Sequence, residues 1–141
     1  MKIHLKRQNK AFHFVAENED GVQINLDSSP DAGGENLGFR PMQTLLAGIA
    51  GCSAIDIGLI LQKQRQVIDD FQIKVTASRV DTIPKIFKEV YIEYILTGDL
   101  DSDKVQRAIN LSLEKYCSVA KIMEKTARIH TSFSIIQPDH A

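Results

Sequence analysis

An α+β fold is what the sequence predicts, on three observations. Alternating apolar and polar runs read as six strands. One long segment, from residue 42 to about residue 65, is helical in pattern but apolar nearly all round. Asp101, Ser102 and Asp103 place helix caps and negative charge before a further helical stretch. The order is three strands, a long helix, two strands, two helices and a last strand, in a single domain over residues 1–141.

Ile3 and Leu5 mark the first strand. Residues 12–16 and 22–26 are the next two and flank Asp20-Gly21, a tight hairpin signal. Val22, Ile24 and Leu26 alternate with polar residues, which predicts one buried face. Residues 27–40 hold Pro30, Gly33, Gly34 and Gly38 among Ser, Asp and Asn, so they form a long loop of the kind that carries function. Pro41 suits a first helical turn, where its missing N–H is not needed. Leu45, Ile49, Cys52, Ile55, Ile57 and Ile60 cannot share one stripe of the helix that follows. Other elements or a second subunit must enclose it, and Gly48 and Gly51 leave room for a close approach. Residues 71–78 and 90–96 alternate cleanly and read as paired antiparallel strands. Helices are expected to about residue 116 and over 118–125, and a strand over 128–136.

Hydrophobic residues make up 43% and charged residues 25% of the 141, the balance of a folded chain. A formal net charge of -1 supplies no field for nucleic acid. The run from Leu45 to Leu61 falls short of the ~20 apolar residues of a membrane span and contains Asp56, so a buried helix is expected and no membrane partner. The first seven residues lack the apolar stretch of a secretory signal, which makes the cytoplasm the expected compartment.

Two residues can carry redox chemistry, Cys52 and Cys117, and an inert packed thiol is the competing reading for each. Asp56 lies one turn beyond Cys52 on the same helix side, where a carboxylate opposes thiolate formation. Cys117 precedes Ser118, a candidate cap. The helix N-terminus, Lys115 and Lys121 make Cys117 the more acidic thiol by local electrostatics. There is no Cys-x-x-Cys and no paired histidine, so no metal site and no cofactor is expected. A zinc ion would need distant ligands. His4, His13, His130 and His140 are scattered, and a Cys–His pair would require His13 or His130 to fold close.

Arg40-Pro41-Met42, the run from Leu45 through Gly51-Cys52-Ser53-Ala54-Ile55-Asp56, and Glu114-Lys115-Tyr116-Cys117-Ser118-Val119 together resemble the OsmC/Ohr family, closest to its YhfA-like branch. Arg79, Pro84 and Phe87 fit as well. The resemblance implies antiparallel sheets wrapped around the long helix in an intertwined homodimer. It implies cysteine-based peroxidase activity on organic hydroperoxides, with an external, lipoyl-type dithiol as reductant. By position it makes Cys52 the peroxidatic cysteine and Cys117 the resolving one. Phe39, Met42 and Leu46 are expected to shape an apolar pocket near Cys52.

The family's peroxidases activate the thiolate with an early Arg and a Glu just before the cysteine. Here Met42 and Gln43 stand in the second place, and Arg7 or Lys10 lies only approximately in the first. Arg40 and Gln43 are therefore the candidate activating or substrate-positioning residues. The alternative function is a non-catalytic redox sensor or small-ligand-binding protein with a reversible cysteine pair. A third reading, a binding module with structural thiols, needs neither cysteine to react.

Overall fold

A computed structural model describes residues 1–139 of the chain as two compact units, Met1–Leu46 and a second from Ala47 onward. The join falls inside a helix, which is why no linker composition marks it in the sequence.

The first unit is an antiparallel sheet of β1 (Ile3–Arg7), β2 (Phe14–Asn18) and β3 (Gln23–Leu26), with β2 in the centre. The hairpin turn forms as Asp20-Gly21 predicts. Asn18 Oδ1 accepts from the Asp20 and Val22 N–H groups, both at 3.0 Å, and Gly21 takes the left-handed position with φ +79°. The predicted buried face of β3 does not form within the described residues. Val22 is 62% and Ile24 53% exposed, and only Ala16 on the central strand is buried. Ala16 lies opposite both Leu5 and Ile24, so this face is apolar, but Leu5 and Ile24 on its edge strands are about half exposed.

The loop after β3 is organised by Asp27, a buried carboxylate. Its Oδ1 accepts from the Ser28 N–H at 2.7 Å, and its Oδ2 from Glu35 and Leu37 N–H at 3.1 Å each. Burial alone would raise the Asp27 pKa. The three backbone donors, aided by His13, hold it below the ordinary value. Gly38 lets two backbone segments meet here, since a Cβ on it would lie 2.5 Å from the Asn25 carbonyl carbon.

In the second unit, β4 (Asp70–Arg79) pairs antiparallel with β5 (Phe87–Thr97), as expected. The last strand, β6 (Arg128–Ile136), lies parallel to β5, so this sheet is mixed where antiparallel pairing was expected. Parallel neighbours need a crossover, and α2 (Ser102–Leu111) and α3 (Ser118–Met123) provide it. On central β5, Val90, Ile92, Tyr94 and Leu96 alternate inward and are fully buried.

Helix α1 (Pro41–Lys63) begins on Pro41 and buries Ile49, Ser53, Ile57 and Leu61, a stripe of every fourth residue. Tyr94 ties this stripe to β5, its hydroxyl donating to Ser53 Oγ at 2.8 Å, while Ser53 Oγ donates to the Ile49 carbonyl at 2.8 Å. Within the single chain the remaining faces stay open; Ile55 is 66% and Leu59 51% exposed. By length and composition α1 is the only helix among the described residues that could cross a membrane.

The α2 cap is Asp101, whose Oδ1 accepts from the Asp103 and Lys104 N–H groups. The predicted helix to residue 116 changes character at Leu111. Residues Ser112–Tyr116 form a π turn closed by the Cys117 N–H donating to the Ser112 carbonyl at 2.7 Å.

Candidate functional site

Helical geometry fixes half of the site. Cys52 and Asp56, four apart on α1, point to one side. The π turn fixes the other half. By bonding residue 112 to residue 117 it stacks Ser112 and Cys117 on one side of that turn. The two halves meet. The Sγ atoms of Cys52 and Cys117 and a carboxylate oxygen of Asp56 all lie within 4.8 Å of one another. Ser112 Oγ donates to Asp56 Oδ2 at 3.0 Å and fixes the carboxylate. Cys52 is half-buried, whereas Cys117 is wholly enclosed, and both are free thiols.

Cys117 is itself the cap of α3, where Ser118 was expected. Its Sγ accepts from the Ala120 N–H at 3.4 Å. The expected acidity of Cys117 is overturned. Burial pushes this thiol up to about 11, with Cys52 and the Asp56 carboxylate adding to the rise against the Ala120 N–H. The lysines that were to favour its thiolate are occupied elsewhere. Lys115 Nζ stands 5.3 Å over the Tyr116 ring, and Lys121 pairs with Glu124 at 3.1 Å. A six-residue helix also offers little dipole. Tyr94 is pushed up to about 12, first by burial, with Cys117 and Asp56 as further negative neighbours and the Ser53 hydrogen bond opposing them.

Arg40 and Gln43 belong to the first unit, and the cysteine pair to the second. Arg40 Nη1 donates to Asn36 Oδ1 at 2.9 Å and to the Gly38 carbonyl at 3.2 Å. Gln43 Oε1 accepts the Arg40 backbone N–H at 3.0 Å, a helix-capping contact. Arg40 lines a 460 Å³ pocket of the first unit whose apolar wall includes Leu5, Phe12, Phe14 and Leu26.

Among the described residues no histidine joins the sulfur cluster. His13 Nε2 bonds Asn25 Oδ1 at 2.8 Å, His130 Nε2 bonds Glu89 Oε2 at 2.6 Å, and His4 is exposed. His140 lies outside the described residues. Sequence reasoning missed Ser112 and Tyr94. Tyr94 carried a signal, its inward place in an alternating strand, whereas nothing local marks Ser112.

The family model described as "OsmC-like protein" matches residues 33–132. The chain belongs to the OsmC-like protein family. Protein YhfA of Escherichia coli K12 is 39% identical over 124 residues, covering 87% of this chain and 90% of YhfA. The crystal structure of a hypothetical protein from Aquifex aeolicus VF5 is similar with a TM-score of 0.85 at 30% identity, covering 98% of this chain and 97% of that one. The organic hydroperoxide resistance protein OhrB of Bacillus subtilis shares the fold, with a TM-score of 0.65 at 23% identity over 95% of this chain and 98% of its own. The α+β arrangement of two small sheets and helices is thus an OsmC-like fold.

Proposed function

We propose that this OsmC-like protein is a cytoplasmic, thiol-dependent reductase of organic hydroperoxides, working as a homodimer. The observation that carries this reading is the sulfur pair. A half-open Cys52 sits within 4.8 Å of an enclosed Cys117. A reactive thiol needs access and its resolving partner needs proximity, and the two burials divide those requirements. Three proteins that share the fold are described as organic hydroperoxide resistance proteins, which supports the substrate class.

In the reaction, the Cys52 thiolate attacks one peroxide oxygen and the O–O bond breaks. The other oxygen leaves as an alcohol after taking a proton, and Cys52 is oxidised to a sulfenic acid. The Cys117 sulfur attacks the sulfenic sulfur, and its proton leaves with the displaced hydroxide as water, forming a disulfide. An external dithiol, of lipoyl type, then exchanges with the disulfide, restoring both thiols and becoming a disulfide itself. The exposed apolar face of α1 supports the homodimer, because a second copy would cover it.

The test is consumption of cumene hydroperoxide with dihydrolipoamide as reductant. Wild type should turn over many times, and Cys52→Ser should fall to the protein-free rate. Cys117→Ser should react once and stop at a sulfenic acid detectable by mass. Equal rates for wild type, Cys52→Ser and buffer overturn the reading. Asp56 favours a second reading, since its carboxylate opposes ionisation beside it. A redox sensor with this site would form the disulfide once and show no multiple turnover.

A further inference from the structure

We propose that the reduced Cys52–Asp56–Cys117 cluster binds one thiophilic divalent cation, of which Zn²⁺ is the type, in competition with oxidation of the cysteines. Three potential ligand atoms, two sulfurs and a carboxylate oxygen, converge within 4.8 Å of one another. Tetrahedral zinc with Zn–S bonds near 2.3 Å holds its sulfurs about 3.8 Å apart. A separation within 4.8 Å accommodates that bite. Small side-chain shifts thus suffice for the metal.

The surroundings fit a ligand set. Ser112 orients the Asp56 carboxylate through its 3.0 Å hydrogen bond, as outer-shell groups orient metal ligands. Cys117 is pinned as the cap of α3. The half-buried Cys52 leaves a way in and a fourth position for water. Both thiols give their protons to solvent on binding, so two thiolates and one carboxylate face one dication. A carboxylate beside two sulfurs works against a bare thiolate pair but suits a bound cation. Thiolate donors select zinc-like ions over magnesium or calcium. The disulfide has no thiolate to offer, so occupancy and oxidation exclude one another, and the ion shields Cys52 from peroxide. The site needs the same cysteines as the proposed reductase but does not require turnover.

The experiment uses the full reduced chain with zinc chloride, in competition with a chromophoric chelator, and with cobalt(II) as a spectroscopic stand-in. Wild type should take up one zinc per chain, and cobalt should give the sulfur-to-metal charge-transfer absorption that carboxylate and imidazole sites lack. Cys52→Ser and Cys117→Ser should each lose about two orders of magnitude in affinity, and Ser112→Ala about tenfold. Protein oxidised to the disulfide should bind none at this site. Stoichiometric zinc should slow alkylation of Cys52, and chelation should restore it. Zinc uptake that survives both serine variants, as a surface His130–Glu89 site would give, overturns the proposal. So does cobalt binding without the charge-transfer band. Zinc binding without peroxide turnover would overturn only the reductase reading. Turnover indifferent to stoichiometric zinc, with no cobalt band, would overturn only the metal site.

Discussion

Cys117 and Tyr94 are both held protonated by the fold, and this gives the molecule a defined weakness to alkali. Burial lifts Cys117 from an ordinary 9.0 to about 11 and Tyr94 from 10.0 to about 12. Between the unfolded and folded values the native state binds more protons than the unfolded chain, so stability falls as pH rises. The Cys117 contribution is complete below about pH 9 and lost by about 11. The Tyr94 contribution follows between about 10 and 12. Urea midpoints measured across this range should fall from pH 9 upward. Cys117→Ala should flatten the first part of the decline and Tyr94→Phe the second; an unchanged slope in both variants would refute the assignment. Asp56 acts at the same scale. In a Cys52→Ser background, Asp56→Asn should lower the Cys117 pKa, read from thiolate ultraviolet absorbance, because it deletes one of the negative neighbours that raise it.

Helix α1 has two kinds of apolar residue, and substitution should separate them. Leu61, fully buried, packs within the second unit, so Leu61→Ala should cost about 2–5 kcal/mol of stability in denaturant titration. Ile55 and Leu59 are exposed and touch that core little, so polar replacements there should leave each chain folded. Much at this scale is legible in the sequence. The β5 alternation names its buried face, Asp101 announces α2, and Cys52 and Asp56 share a helix side by spacing alone. The candidate site is legible only by halves. Ser112 reaches Asp56 across 56 positions, and that meeting depends on a parallel crossover which no local pattern encodes. The π turn is equally silent, since it differs from a helical turn by one step in hydrogen-bond partner, with no side-chain signature. The lysines near Cys117 misled because local partners, the Tyr116 ring and Glu124, take their charges first.

At the scale of the whole molecule, exposed apolar surface decides what surrounds this chain. The first unit leaves Ile3, Leu5 and Ile24 open on its sheet, and the second leaves Ile55 and Leu59 open on α1. Gly51 and Gly58 add stretches of bare helix backbone, for a Cβ at either would meet nothing within 4 Å. Apolar surface on this scale marks contact with protein or lipid. Asp56 stands on the same helix, half-buried and bonded to Ser112, and an ionisable group midway along a membrane span is costly. The proposed second copy of the chain would cover this surface and leave Asp56 in place beside Ser112. Light scattering on wild type without detergent should therefore give the mass of two chains. The double variant Ile55→Asp, Leu59→Asp should give the mass of one, with its helical circular dichroism retained. Leu61→Ala should stay at two chains while losing stability, which separates a covering partner from the chain's own core. A single-chain mass for wild type at micromolar concentration, or aggregation relieved only by detergent, would remove the second copy and leave the α1 face to another partner.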